Sequence, residues 1–169
     1  MRGAGPVAVV LCAVIRQDDD GAPTVLLGRK KRGFAAGKTV LPGGKVEAGE
    51  SGEEAAVREL REETGLSVAP GELSLAATIE FVFPAQPAAD MSCRVYRVAG
   101  RAAEAAGTAH DTDELAVRWH RADDVPWADT WQDASRWLPE VIAAPAKPLL
   151  VRVELADDNE TVADYRTGT

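Results

Sequence analysis

The chain has 169 residues and a mass of 17.9 kDa, which is the length of one ordinary domain. It is 46% hydrophobic and 27% charged, a globular composition that argues against intrinsic disorder. Its formal net charge of −8 argues against a protein that coats nucleic acid or an anionic membrane surface. The two cysteines are too few for a disulfide framework, so we expect buried free thiols and a cytoplasmic protein.

The longest apolar stretch, Pro6 to Ile15, is too short for a transmembrane helix, which needs roughly 20 residues. It also lacks the small-residue cleavage site of a signal peptide and is followed by a polar turn. We therefore expect a first strand here and no membrane association. We further expect a single domain over residues 1–169, acting as a monomer.

The first quarter of the chain predicts strands. Val7–Ile15 and Thr24–Leu27 are rich in β-branched and apolar residues, and we expect them to form a hairpin around Asp18–Gly21. A basic segment, Gly28–Lys38, follows with five basic residues and no acidic one. Thr39–Leu41 is predicted as a brief extended piece.

The segment Ser51 to Gly65 predicts a helix. Ser51 is a plausible N-cap, and Glu54 stands three residues further on, which is the spacing of a capping box. Gly65 suits the left-handed C-cap position. Its apolar residues form one stripe that can face a core.

The second half of the chain mixes strand and helix signals. Strands are predicted at Leu75–Phe83, Met91–Val98, Leu115–His120, Leu149–Leu155 and Thr161–Tyr165. The last two strands should form a hairpin around Asp157-Asp158-Asn159. We expect a loop at Arg101–Asp113 and a helix at Thr130–Ala143. Because the elements do not alternate regularly as βαβ units, the chain predicts an α+β fold.

Acidic residues crowd the region from Gly44 to Leu66, where seven glutamates stand against three basic residues. Glu59, Glu62 and Glu63 have the i, i+3, i+4 spacing that places side chains on one helix face. A divalent cation such as Mg²⁺ or Mn²⁺ would relieve their repulsion, since hard cations prefer carboxylate oxygens. From spacing alone, a solvated acidic face is an equally valid interpretation.

The full arrangement resembles the signature of the Nudix hydrolases. The matching positions are Gly44, Glu50, Arg58-Glu59-Leu60, Glu62-Glu63 and Gly65-Leu66. The resemblance implies that Glu59, Glu62 and Glu63 bind the catalytic metals with help from the Gly44 carbonyl. It implies that Glu50 and Arg58 order the loop–helix–loop, with Gly65 ending the helix.

The same resemblance implies a fold and a reaction. The fold is an α/β/α sandwich around a mixed sheet, with the loop–helix–loop at residues 44–66. The substrate is a nucleoside diphosphate linked to a further group. Phosphoanhydride hydrolysis needs charge neutralisation and an activated water. We rank Glu59 and Glu63 first as general base, with Glu114 as a third candidate.

Residues 24–165 also resemble the Nudix enzymes that hydrolyse oxidised purine nucleoside triphosphates such as 8-oxo-dGTP. The likeness rests on segments such as Lys30–Gly37, Ile79–Phe81 and Trp131–Ser135. The resemblance implies the following substrate-binding residues: Lys30 for a phosphate, Lys45 as a further substrate contact, Phe34 and Trp131 on the two faces of the base, Asp133 on the base edge, and Phe81 and Met91 in the pocket wall. Packing on the sheet is the alternative role for the aromatic residues, and we favour it for Trp119, Trp127 and Trp137.

Two positions depart from that group. Val40 stands where the animal enzymes have a pocket asparagine, and Ala134 stands where they have a second carboxyl. Both changes remove hydrogen-bonding groups from the purine edge, and this weakens discrimination between similar bases.

The sequence thus predicts a Mg²⁺-dependent hydrolase that converts an oxidised purine nucleoside triphosphate to the monophosphate and pyrophosphate, cleansing the nucleotide pool. A Nudix hydrolase of a dinucleoside polyphosphate, ADP-ribose or an unmodified nucleotide is one alternative. A non-catalytic nucleotide-binding domain is the other. Bound cations would neutralise the acidic segment and let the neighbouring basic segment meet a triphosphate.

Overall fold

The structure, a computed structural model, describes residues 4–168 and contains nine strands and three α-helices over that range. In chain order these are β1 (Val7–Gln17), β2 (Pro23–Lys30), β3 (Thr39–Val40), β4 (Gly43–Lys45), α1 (Gly52–Thr64), β5 (Ser74–Val82), β6 (Met91–Val98), α2 (Gly100–Ala105), β7 (Leu115–Arg121), α3 (Ala134–Ile142), β8 (Leu149–Leu155) and β9 (Val162–Gly168). Among these helices, none is long and apolar enough to cross a membrane.

The strands form one mixed sheet in the order β3-β2-β1-β6-β5-β8-β9, with β4 added to β1 and β7 added to β2. The pairs β1–β6 and β5–β8 are parallel, and the other pairs are antiparallel. Every strand predicted from the sequence is present, and so is the hairpin between β1 and β2. The α+β fold class is therefore confirmed.

The two faces of β1 carry two different cores, as the alternation of side chains along a strand requires. Ala13 and Ile15 belong to the larger core, which α3 covers. Cys12 and Val14 belong to a core on the opposite face, to which α1 and α2 contribute. Helices on both faces of the sheet give the predicted α/β/α sandwich.

The two cysteines, Cys12 and Cys93, are buried and not joined, as predicted. Burial raises the pKa of the Cys12 thiol to about 12 and raises the pKa of Cys93 as well. Both side chains therefore serve as small core residues.

Helix α1 begins and ends where the sequence predicted. The Ser51 hydroxyl accepts from the Glu54 amide at 3.1 Å, and the Glu54 carboxylate accepts from the Ser51 amide at 2.8 Å. Gly65 has φ +81°, and its amide donates to the Arg61 carbonyl. The cap residues therefore fix both ends of the helix that carries the acidic cluster.

The predicted loop at Arg101–Asp113 is wrong in its first part, where the chain forms α2. Alanine has the highest helix propensity, and Ala103 and Ala106 are buried in the core beneath α1. Arg16 donates to the carbonyl of Ala103 at 2.6 and 2.9 Å and to that of Gly107 at 2.8 Å. This distant arginine satisfies carbonyls at the helix end, a contact that local sequence does not reveal.

Two further boundaries differ from the prediction. Helix α3 begins at Ala134 rather than Thr130, because a 3-10 turn at Trp127–Asp129 precedes it. Strand β4 was not predicted, since a Gly-Gly pair carries no strand signal. It forms because Gly43 and Gly44 fit closely against β1, where a Cβ on Gly43 would collide with the Val10 carbonyl oxygen.

Candidate active site

Arg58 on α1 lies at the centre of the acidic cluster and bonds to three carboxylates, one from the loop before the helix and two from the helix itself. It donates to Glu50 at 2.7 and 2.9 Å, to Glu59 at 2.8 Å and, more weakly, to Glu62 at 3.3 Å. It also donates to the carbonyl of Lys45 on β4 at 3.1 Å. One guanidinium therefore joins the loop before α1, the helix itself and the neighbouring strand.

The Glu50–Arg58 pair is charged in the folded protein over most of the pH range. The hydrogen bond that Arg58 donates to the Glu50 carboxylate lowers the pKa of Glu50 to about 2. The same pair raises the pKa of Arg58 above its usual value. Glu50 is thus a fixed anion that holds Arg58 in place.

Glu63 is the most buried carboxylate of the cluster, with 5% of its surface exposed. Its Oε2 accepts from the amide of Gly43 at 3.0 Å, which brings α1 against β4. Burial raises the pKa of Glu63 to about 7, and the negative charge of Glu59 contributes to the rise. The fold thus holds this carboxyl where ionisation is unfavourable without a compensating positive charge.

Glu59 lies against the backbone of β4 at Gly44. Burial raises the pKa of Glu59, and the charges of Glu62 and Glu114 add to this rise. A Cβ on Gly44 would overlap the Glu59 carboxylate. Glycine at position 44 therefore leaves the space in which this carboxylate lies.

The remaining predicted acidic residues are more exposed. The side chain of Glu62 is 56% exposed at the end of the Arg58 network. The side chain of Glu114 is 51% exposed and lies 3.6 Å from Arg32. The negative charges of both raise the pKa of Glu59, and that of Glu114 also raises the pKa of Glu63.

The donor set fits a divalent cation. Within residues 4–168, no three acidic, histidine or cysteine side chains are already gathered around one point. Glu59 is turned to Arg58 and Glu63 to the Gly43 amide. Burial, and to a smaller extent the neighbouring negative charges, raises the pKa of both carboxyls, and a hard cation with oxygen ligands would offset both effects.

A cavity of about 200 Å³ begins beside this cluster and lies on the face of the sheet that α3 covers. Gly44 and Glu63 are part of its wall. Six of the predicted substrate-binding residues also line it: Lys30, Phe34, Phe81, Met91, Trp131 and Asp133. The seventh, Lys45, does not line the cavity, since it is exposed on β4. Its carbonyl accepts from Arg58.

Asp133 is almost completely buried in the cavity wall, with 4% of its surface exposed. Its Oδ2 accepts from the indole Nε1 of Trp137 at 2.7 Å, and burial raises its pKa. Trp137, which the sequence assigned to packing, is buried in the core and also lines the cavity. Its contact with Asp133 at i, i+4 is a pairing that helix spacing could have revealed.

Phe34 and Trp131 lie together at the cavity, but no gap separates them. Their rings stack on one another with centroids 5.6 Å apart and planes inclined by 22°. A base between two rings needs a separation of about 7 Å, which is two ordinary stacking contacts. The predicted binding of a base between them stays a prediction that requires Phe34, 62% exposed, to move.

The basic segment Gly28–Lys38 is divided between several partners. Lys30 lines the cavity. Lys31 donates to the Thr112 carbonyl at 2.6 Å, Arg32 lies near Glu114, and Lys38 bonds to Glu160 at 2.6 Å. The segment therefore supplies one basic side chain to the cavity wall, that of Lys30, whereas the side chains of Lys31, Arg32 and Lys38 contact other surface residues.

The chain matches the family model described as NUDIX domain over residues 6–141. It is 42% identical over 115 residues to the oxidized purine nucleoside triphosphate hydrolase of Mus musculus, covering 68% of this chain and 69% of that protein. The Danio rerio protein of the same name is 40% identical over the same shares. The crystal structure of a mutator MutT protein from Bacillus halodurans superimposes with a TM-score of 0.74 at 25% identity, covering 95% of this chain and 97% of that one.

These matches show that the chain belongs to the Nudix hydrolase family. Hydrolases of this family generally require divalent metal ions. We call residues 44–66, which comprise α1 and the short segments on either side of it, the signature region. The cavity next to it is the candidate substrate site.

Proposed function

We propose that the protein hydrolyses a purine nucleoside triphosphate, with an oxidised guanine as the leading base, to the monophosphate and pyrophosphate. The observation that carries this proposal is one cavity lined by Glu63 and Gly44 and also by Trp131 and Asp133. A nucleotide whose phosphates lie at the carboxylates can thus place its base at the aromatic residues. The names of the mouse and zebrafish relatives support the same substrate class.

Mg²⁺ is the proposed cofactor, held by Glu59, Glu62, Glu63 and the carbonyl of Gly44. When bound, it neutralises the phosphate charge and favours ionisation of a water molecule. Lys30 binds a phosphate oxygen from the cavity wall. Glu63, with its pKa of about 7, and Glu59 are the candidates to accept a proton from water.

The base site is proposed to use Trp131 as a stacking surface, with Phe34 moving to cover the other face. Stacking on an aromatic ring is worth about 1–3 kcal/mol per base. Phe81 and Met91 complete the apolar wall, and Asp133 bonds to the base edge. We also propose that the protein is a cytoplasmic monomer with one domain, which binds neither nucleic acid nor membrane.

A second candidate function is hydrolysis of another nucleoside diphosphate derivative. Val40 and Ala134, which both line the cavity, favour it because they offer no hydrogen bond to a purine edge. The retained carboxylates speak against the further alternative of a non-catalytic binding domain, because binding alone does not require buried, mutually repelling acids.

The test is a substrate panel with Mg²⁺, comparing kcat/KM for 8-oxo-dGTP, dGTP, ADP-ribose and a diadenosine polyphosphate. We expect 8-oxo-dGTP to give the highest value. A higher value for ADP-ribose or the diadenosine compound would assign the second candidate function instead. Absence of turnover on all of them would contradict the hydrolase proposal.

A further inference from the structure

The chain contains a single asparagine, Asn159, and the fold brings it to the candidate substrate cavity. It lies in the turn between β8 and β9, far in sequence from every other residue assigned to the site. The turn is local and tight, since the Asn159 amide donates to the Ala156 carbonyl at 2.9 Å. The hairpin turn expected from the sequence is thus also part of the cavity wall.

This turn is held rigidly next to the base site. The Asp158 carboxylate accepts from the amides of Glu160 and Thr161 at 2.9 and 2.8 Å. The amide of Val162 donates to the side-chain oxygen of Gln132 at 2.9 Å, which ties β9 to the segment containing Trp131.

A second connection crosses the cavity edge. Glu160 pairs with Lys38 at 2.6 Å, and the Lys38 ammonium lies 5.0 Å from the centre of the Trp131 ring. The turn, the basic segment and the stacking tryptophan therefore form one connected structure. The backbone at position 159 is therefore held in place by contacts on both sides of the turn, next to the base site.

The side-chain amide of Asn159 is only half satisfied. Its Nδ2 donates to the Gln86 side-chain oxygen at 3.3 Å. Its Oδ1 is buried and accepts no hydrogen bond from any residue in the range 4–168. A buried acceptor without a donor costs free energy, and a ligand that supplies a donor removes this cost.

Backbone geometry alone does not explain the asparagine side chain. Asn159 has φ +57°, a left-handed conformation that asparagine tolerates, but glycine would adopt it without burying a polar group. Two other polar groups in this wall are already paired, since Asp133 Oδ2 accepts from Trp137 and the Thr130 hydroxyl donates to the Trp127 carbonyl. Asn159 thus keeps the hydrogen-bonding capacity that Val40 and Ala134 lack.

We propose that Asn159 is a specificity-determining residue whose side-chain oxygen accepts a hydrogen bond from an N–H on the edge of the bound purine. The inference rests on the proposed function. Ring nitrogen N7 of guanine is an acceptor, whereas the same nitrogen of 8-oxoguanine carries a hydrogen. A fixed acceptor oxygen in the wall therefore favours the oxidised base over guanine.

The experiment measures kcat/KM for 8-oxo-dGTP, 8-bromo-dGTP and dGTP in the wild type, Asn159→Gly and Asn159→Asp. The bromo compound has a substituent at the same carbon but no hydrogen on N7. Asn159→Gly keeps the positive φ and removes the amide, whereas Asn159→Asp keeps an acceptor oxygen. We expect Asn159→Gly to lower the preference for 8-oxo-dGTP over both other nucleotides about tenfold through KM, with kcat within about twofold. Asn159→Asp should retain the preference.

An unchanged preference in Asn159→Gly would overturn this inference and leave the proposed function intact. A wild-type preference for 8-bromo-dGTP equal to that for 8-oxo-dGTP would overturn it equally, without relying on any variant. If the wild type hydrolyses none of the three nucleotides, the proposed function fails and the inference fails with it. A fall in kcat with constant KM would indicate disturbance of the catalytic region instead and would also contradict the inference.

Discussion

The signature region and the base site are built in opposite ways. The signature region is nearly continuous in sequence, and its carboxylates are held by Arg58 and by the Gly43 amide. The base site gathers residues from Phe34 to Asn159 on several strands and turns. Its walls are mostly apolar, and its polar side chains are few, with Thr130 and Asp133 buried. Charge thus dominates the chemistry of one region, and shape and individual hydrogen bonds dominate the other.

This contrast predicts that variants of the first region change kcat, whereas variants of the second change KM and base preference. Glu63→Gln gives the largest expected effect, a fall in kcat of about 10³-fold, because it removes both a carboxylate ligand and a candidate general base. Steady-state kinetics on 8-oxo-dGTP with Mg²⁺ measures it. The matched control is Glu104→Gln on the exposed side of α2, which should leave kcat unchanged.

The buried carboxyl of Glu63 also predicts a pH dependence of stability in the metal-free protein. Its pKa is raised to about 7, so the folded state binds more protons than the unfolded state between about pH 4.5 and 7. The contribution of this group is present at low pH and is lost as the pH rises through that window. The loss amounts to about 3 kcal/mol.

Urea unfolding at several pH values in the presence of a chelator measures this loss. Glu63→Gln should flatten the dependence between pH 5 and 7.5, because its amide does not ionise. If the stability of the wild type does not fall relative to that of Glu63→Gln as the pH rises through this window, the buried environment described for Glu63 is wrong.

Gly44→Ala tests the close approach of Glu59 to the backbone. The added Cβ would overlap the Glu59 carboxylate, so the side chain must move. We expect the apparent Mg²⁺ affinity to fall about 10- to 100-fold, as when groups that orient a ligand are lost. Mg²⁺ titration of activity measures it. Gly71→Ala is the control, since a Cβ there meets no atom within 4 Å; equal effects in the two variants would contradict the argument.

Trp131→Ala should raise KM for 8-oxo-dGTP about tenfold while kcat stays within about threefold, because stacking contributes mainly to binding. Phe34→Ala should have a smaller effect, since Phe34 is largely exposed in the unliganded protein. Steady-state kinetics distinguishes the two. A fall in kcat with an unchanged KM would show that Trp131 positions the phosphates rather than the base.

The same contrast explains how much the sequence revealed. The ends of α1 and the spacing of its carboxylates depend on neighbours three and four residues away, so local patterns predicted them. Helix α2 was missed because its burial and its Arg16 contact depend on distant residues. Asn159 was predicted only as part of a turn, because its place in the cavity follows from the pairing of β8 with β5. The Phe34–Trp131 contact likewise joins segments about a hundred residues apart in sequence.

The central claim is that both regions act on one nucleotide. The most direct measurement is product analysis of 8-oxo-dGTP with Mg²⁺, combined with binding of 8-oxo-dGMP followed by tryptophan fluorescence, for the wild type and Glu63→Gln. We predict equal amounts of 8-oxo-dGMP and pyrophosphate from the wild type. For Glu63→Gln we predict almost no product but an affinity for 8-oxo-dGMP within about threefold of the wild type. Release of inorganic phosphate in place of pyrophosphate, or full turnover by Glu63→Gln, would contradict the account.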